Sequence, residues 1–236
     1  MSKVAILVDG GFYQKRARFL FGSKKPIARA DELISYCHRH VKEPDELYRI
    51  MYYDCPPSEG TVYHPLLQAN IDLKNQPQYQ WSKKFLKAIV SKRKVASRLG
   101  ELSDTVACYT LKSEIIKCLC NKTITVDDLK AQDFHLNLQQ KGVDIRICLD
   151  ITSMAEKRLV DRIILISGDS DFVPVAKHAR REGVDFILDP MWHSIKPSLS
   201  EHIDGLRSCT KKPNGSNSDV LSVYPDGIIG FKPPME

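Results

Sequence analysis

No stretch of this 236-residue sequence approaches the ~18 consecutive apolar residues that a membrane-spanning helix needs. A signal-peptide pattern is missing as well: the apolar run Val4 to Val8 is too short, and no small-residue cleavage site follows it. These absences predict a cytoplasmic protein with no membrane partner. The seven cysteines, at 37, 55, 108, 118, 120, 148 and 209, are odd in number and scattered, which excludes a disulfide framework. Zinc motifs are lacking too. Cys118-Leu-Cys120 has no two-residue gap and no matching pair elsewhere. Cys37-His38-Arg39-His40 falls on a predicted helix, where these neighbours point in different directions. There is no Walker lysine loop, no Gly-x-Gly-x-x-Gly, no internal repeat and no aromatic-rich base-stacking motif.

One further absence is local. Between Asp72 and Glu101 no acidic residue occurs, while Lys74, Lys83, Lys84, Lys87, Lys92, Arg93, Lys94 and Arg98 all fall there. A one-sign segment of this kind suits a phosphate-binding surface, with Lys83, Lys84, Lys87, Lys92 and Arg93 as the candidate nucleic-acid contacts. A solvated helix face is the simpler alternative. Elsewhere the composition, 42% hydrophobic and 27% charged, is that of an ordinary globular chain long enough for one well-buried domain with insertions or a tail.

What is present alternates between strand-like and helix-like segments, predicting a parallel sheet flanked by helices. Val4–Val8, Leu47–Tyr53, Ile163–Ile166 and Val184–Leu188 are short apolar runs of the kind buried on both faces of such a sheet. Helices are predicted over Phe12–Phe21, Asp31–His40, Trp81–Ala96, Val126–Gln140, Ile151–Leu159 and Phe172–Arg181, with a short one over Pro197–Ile203. Residues 58–80 read as loop with a short helical piece. Val143, Ile145, Ile147 and Leu149 alternate with polar residues, and period two predicts a strand ending at Asp150.

On this reading each strand ends in an acid: Asp9, Asp54, Asp150, Asp169 with Asp171, and Asp189. A single such Asp is usually a helix cap or turn residue. Several at one edge repel one another unless a cation neutralises them, and carboxylates without His or Cys suit Mg²⁺ or Mn²⁺. Asp144 is six residues from Asp150, so on a common strand the two stand ~20 Å apart. That places Asp150 at the active edge and excludes Asp144 from the metal site; an earlier strand end or a bulge would reverse the assignment. Phosphodiester hydrolysis is the chemistry that such a metal and a neighbouring basic segment favour.

Three motifs stand in order: Ile6-Leu7-Val8-Asp9-Gly10-Gly11, then Lys141-Gly142-Val143-Asp144-Ile145 with Asp150, then Leu165-Ile166-Ser167-Gly168-Asp169-Ser170-Asp171-Phe172-Val173-Pro174. Together they resemble the NYN domain, a bacterial-type member of the PIN-like nuclease group. The likeness covers most of residues 3–206 and is weakest over 55–140. It implies a Rossmann-like PIN fold and a divalent-metal endoribonuclease, with RNA as partner. Its catalytic acids map onto Asp9, Asp150, Asp169 and Asp171, and its metal ligands onto Asp9, Asp150 and Asp169. Asp54 and Ser167 are additional candidates. One departure is that Gly11-Phe12 stands where many members have Asp-Gly-x-Asn. The expected organisation is a domain over 1–208, with a basic helical insertion around 58–140, and a C-terminal extension over 209–236. An RNA-binding or regulatory module with weak or lost catalysis is the alternative function, and a homo-oligomer is compatible with either.

Overall fold

Lys3–Asp9 forms strand β1, and its five central residues are fully buried because helices cover both faces of the sheet. A computed structural model describes the backbone of residues 1–213, 222–223 and 229–230, and side chains over 1–102 and 107–213. After β1 the chain forms α1 (Gly10–Phe21), α2 (Pro26–His38), β2 (Glu46–Asp54), β3 (Thr61–His64), β4 (Ala69–Asp72) and α3 (Pro77–Val90). Then follow β5 (Val95–Leu99), β6 (Glu101–Leu111), α4 (Ser113–Cys120), β7 (Phe134–Lys141), α5 (Val143–Glu156) and β8 (Arg162–Ile166). The chain continues through α6 (Val173–Arg181), β9 (Asp185–Asp189), α7 (Pro197–Ser200), β10 (Gly205–Leu206), β11 (Ser222–Val223) and β12 (Ile229–Gly230).

The residues divide into two units. The larger comprises 1–54, 84–100 and 142–236 and carries the main sheet, in the order β11-β12-β10-β9-β8-β1-β2-β5. The six strands from β10 to β5 run parallel; β12 and β11 add on antiparallel. From β1 the chain proceeds outward through β2 to β5, whereas β8, β9 and β10 proceed outward on the other side. The β1–β8 boundary is therefore a topological switch point, where α/β sheets open a crevice at the carboxyl ends of their strands. Burial of Val4–Val8 and of Ile163–Ile166 holds this boundary together. Each Val, Ile or Leu side chain among them contributes about 1.5–3 kcal/mol. Gly10 is required at the turn out of β1: a Cβ there would lie 2.5 Å from the Tyr53 carbonyl oxygen and 2.6 Å from the Tyr52 ring.

The smaller unit, 55–83 and 101–141, holds two antiparallel pairs, β3 with β4 and β6 with β7. Buried His64 packs against the rings of Tyr109 and Phe134. The expectation of a basic helical insertion is thus corrected. Residues 61–72 form a hairpin, α3 ends at Val90, and 134–141 form a strand instead of a helix. Phe134, Leu136 and Leu138 alternate with polar residues, the period of a strand half-covered on one face. Most of the C-terminal extension lies outside the described residues. Among the described residues no helix is long and apolar enough to cross a membrane.

The expected strand over Val143–Leu149 is a helix. Val143, Ile147, Ile151, Met154 and Ala155 are its buried residues, at helical spacing, and they fix its inner face. Ile145 and Leu149, which completed the apparent alternation, are 65% and 63% exposed. Because α5 precedes a parallel strand, its first turn lies at the carboxyl edge of the sheet.

Candidate active site at the carboxyl edge of the sheet

Asp9 closes β1 and caps α1, its Oδ1 accepting from the Phe12 N–H at 3.0 Å. Its Oδ2 accepts from the Ser167 hydroxyl at 3.1 Å. Ser167 is fully buried and in turn accepts the Asp169 N–H at 3.3 Å, so one hydroxyl joins the ends of β1 and β8. Asp169 caps the short 3₁₀ turn Ser170–Phe172 by accepting from the Asp171 N–H at 3.0 Å. Asp171 itself is exposed.

Asp144 occupies the first turn of α5, where the positive end of a helix favours an anion. Burial raises its carboxyl above the ordinary range, and the charges of Asp9, Asp169 and Asp171 raise it further. Asp9 behaves alike. Burial pushes it up, the Phe12 and Ser167 hydrogen bonds oppose this, and the charges of Asp54 and Asp169 add to it. Asp54 ends β2 and accepts from the Tyr52 hydroxyl at 2.7 Å. Five carboxylates from four elements therefore act on one another across this edge.

Asp150 stands apart from them. It accepts from the Tyr53 hydroxyl at 2.8 Å and pairs with Arg98, whose Nε and Nη2 lie 3.1 and 3.2 Å from its two oxygens. The strand argument that excluded Asp144 in favour of Asp150 is thereby corrected. On a helix, six residues correspond to ~9 Å of rise and about 240° of rotation, so the two acids leave different faces. Asp189 is also removed from the candidates: it is fully buried and bonded to Tyr36 Oη, His40 Nε2, the Met191 N–H and Ser208 Oγ at 2.6–2.9 Å.

The basic segment is divided by the fold. Phe85 packs edge-on against Tyr52, near the carboxyl end of β2, and Lys84 and Lys87 point from the exposed side of α3. Lys83 lies over the Tyr79 ring. Lys92 and Arg93 stand in the turn before β5, at the amino edge of the sheet, and Lys92 is paired with Asp31. A cleft of about 770 Å³ lined by Lys177, Arg180, Arg181 and His202 adjoins Asp185, at the start of β9, and is likewise remote from the acids. Sequence reasoning singled out neither His193 nor Lys196; the fold brings the Phe12 ring to Gly168, His193 to Phe12 and Lys196 to Ser170. Asp144 carried a signal: it belongs to the quoted Val-Asp motif.

Among the described residues no three His, Cys, Asp or Glu side chains form a ready metal cage. The donor set still fits Mg²⁺ or Mn²⁺, because such ions use one or two carboxylates and retain waters, and a cation would offset the burial, and the smaller like-charge repulsion, that raise the Asp9 and Asp144 carboxyls.

A parallel sheet with acids gathered at its switch point defines a Rossmann-like fold of the PIN-like class. The family model described as the NYN domain matches residues 69–204, and the chain belongs to the NYN family. Domains of this family are generally nucleases. No curated protein matches the chain. Among solved structures, a Vibrio parahaemolyticus protein described as of unknown function is 17% identical, with a TM-score of 0.43 over 87% of this chain and 91% of that one.

Proposed function

We propose that this protein is a divalent-metal-dependent ribonuclease that hydrolyses RNA phosphodiester bonds at the carboxyl edge of its main sheet. The observation that carries the reading is the joining of Asp9 to the Asp169 backbone through the buried Ser167 hydroxyl at the β1–β8 switch point, with Asp144 near enough for the charges of Asp9, Asp169 and Asp171 to act on it. Asp9 and Asp169 would hold Mg²⁺ or Mn²⁺, with Asp144 and Asp171 holding its waters. The ion, when bound, would lower the pKa of a water and stabilise charge on the phosphoryl oxygens. Ser167 orients Asp9 through its hydroxyl. Arg98, held by Asp150, and Lys84 and Lys87 on α3 supply positive charge for the RNA backbone.

An RNA-binding or regulatory module with weak catalysis is the second reading. It is favoured by Phe12 in the place of the expected Asn and by the lack of a closed carboxylate cage among the described residues. Incubation of purified protein with single-stranded RNA or DNA, in Mg²⁺, Mn²⁺ or chelator, separates the two. Cleavage of RNA that chelator abolishes is the expected result. Tight RNA binding without cleavage in either metal would establish the second reading instead.

A further inference from the structure

We propose that Phe12 and His193 form a nucleobase platform on the acidic edge, gripping an unpaired base of single-stranded RNA next to the bond to be cut. The proposal rests on the nuclease reading and names how its substrate is held. Phe12 touches the ends of both β1 and β8. Its N–H is bonded to Asp9, and its ring lies over Gly168, where an added Cβ would come within 2.9 Å of Cε2. A residue without a side chain at 168 is what lets the ring settle onto the Ser167-Gly168-Asp169 turn. His193, exposed, stands edge-on to that ring, with centroids 6.0 Å apart and planes at 73°.

The segment presenting His193 is held in an unusual shape. Met191 and Trp192 are consecutive non-glycine residues with φ of 47° and 61°. Such conformations persist where surroundings over-determine them, and they concentrate at ligand sites. Here the surroundings are explicit. Asp189 accepts from the Met191 N–H at 2.7 Å, and Arg16 donates twice to the Met191 carbonyl, at 3.1 and 2.7 Å. The Trp192 N–H donates to Ser208 Oγ at 3.1 Å, and its indole to the Thr210 carbonyl at 2.9 Å. A fully buried carboxylate and a guanidinium are thus committed to a turn whose exposed product is one imidazole beside one phenyl ring. Lys196 completes the subsite: its Nζ lies 3.1 Å from Ser170 Oγ, between the two acids in sequence, and pairs with no carboxylate among the described residues.

An aromatic surface among carboxylates would recognise the π-face of a base, while Lys196 would meet an adjoining phosphate. Bases already stacked in a duplex cannot use it, so the platform selects single strands with little preference for base identity. The probe is a short single-stranded RNA carrying one 2-aminopurine, titrated in chelator with the intact protein and read by fluorescence quenching and anisotropy. Wild type should quench the probe. Phe12→Leu, which retains an apolar cap over Gly168, should lose the quench and bind about tenfold more weakly, Phe12→Trp should restore both, and His193→Ala should fall between. An abasic site in place of the 2-aminopurine should erase the difference between wild type and Phe12→Leu. Equal affinity and quenching by wild type and Phe12→Leu would overturn the platform while leaving metal-dependent cleavage standing. Failure of wild type to bind or cleave the RNA would remove the nuclease reading and the platform together.

Discussion

Asp144 and Asp150 share helix α5 but have different partners: Asp144 is repelled by Asp9, Asp169 and Asp171, whereas Asp150 is bonded to Tyr53 and Arg98. Removing each charge should therefore act in opposite directions on the metal-free protein. Asp144→Asn should raise stability at neutral pH, because its carboxylate is disfavoured when ionised, and should weaken Mn²⁺ binding and RNA cleavage. Asp150→Asn should lower stability by only about 0.5–1 kcal/mol, because the neutral amide oxygen still accepts from the Tyr53 hydroxyl, though more weakly than a carboxylate, and the exposed Arg98 pair adds little. Its effect on Mn²⁺ affinity should be the smaller. Urea denaturation and Mn²⁺ calorimetry on both variants check this, and an equal loss of metal affinity would return Asp150 to the metal site.

Asp169→Asn should reduce cleavage to background while preserving the fold, since an amide oxygen still accepts the Asp171 N–H. Ser167→Ala should be intermediate. It deprives Asp9 of a donor without touching a charge, and partners of this kind typically govern metal affinity by about 10- to 100-fold. Cleavage rates over a Mn²⁺ titration, with circular dichroism as the fold control, distinguish the two patterns. Full activity in Asp169→Asn would sink the proposed site.

The buried strands were legible because Val4–Val8, Ile163–Ile166 and Val184–Leu188 owe their form to burial on both faces, which leaves a direct mark on composition. Asp9, Asp54 and Asp169 followed, because a strand end fixes which acid reaches the edge. Residues 143–149 misled for a physical reason. Exposed Ile145 and Leu149 filled the gaps in a helical pattern, and only the longer run to Ala155 shows that Val143, Ile147 and Ile151 are the buried set. Turning that segment into a helix removes the ~20 Å strand spacing by which the two acids had been told apart. The pairing of Phe12 with His193 had no local signal at all, since the residues meet only through the packing of α1, β8 and the turn after β9.

The divided basic segment predicts a divided salt response. Lys84→Glu with Lys87→Glu should weaken RNA binding and reduce the slope of log affinity against log salt by roughly 1–2, as expected for lost phosphate contacts on single strands. Lys92→Glu should leave that slope unchanged and instead lose an ion pair to Asp31 at the opposite edge. Binding isotherms at several salt concentrations measure both. Identical slopes for the double variant and wild type would make the exposed face of α3 a solvated surface only.

The pair His40–Asp189 should impose a pH dependence on stability that is separate from the acid edge. His40 Nε2 lies 2.8 Å from Asp189 Oδ2, and both side chains are fully buried. Burial works against the charged imidazole, but contacts with Asp189 and Cys209 outweigh it and hold its pKa at about 9. The unfolded value is ~6.5. Folding thus favours the protonated form, so the stabilisation is complete below pH ~6.5 and is lost as pH rises through about 9. Its size is on the order of 3 kcal/mol. Tyr36 and Cys37, the neighbouring titratable groups on α2, are driven upward by burial first and by Asp189 second, which keeps them neutral across this window. Thermal unfolding of wild type should therefore shift to lower temperature between pH 6.5 and 9, and His40→Gln should lack that slope, with Cys209→Ser as the control for the thiol. A His40→Gln profile parallel to wild type would show that the imidazole is neutral in the folded protein throughout.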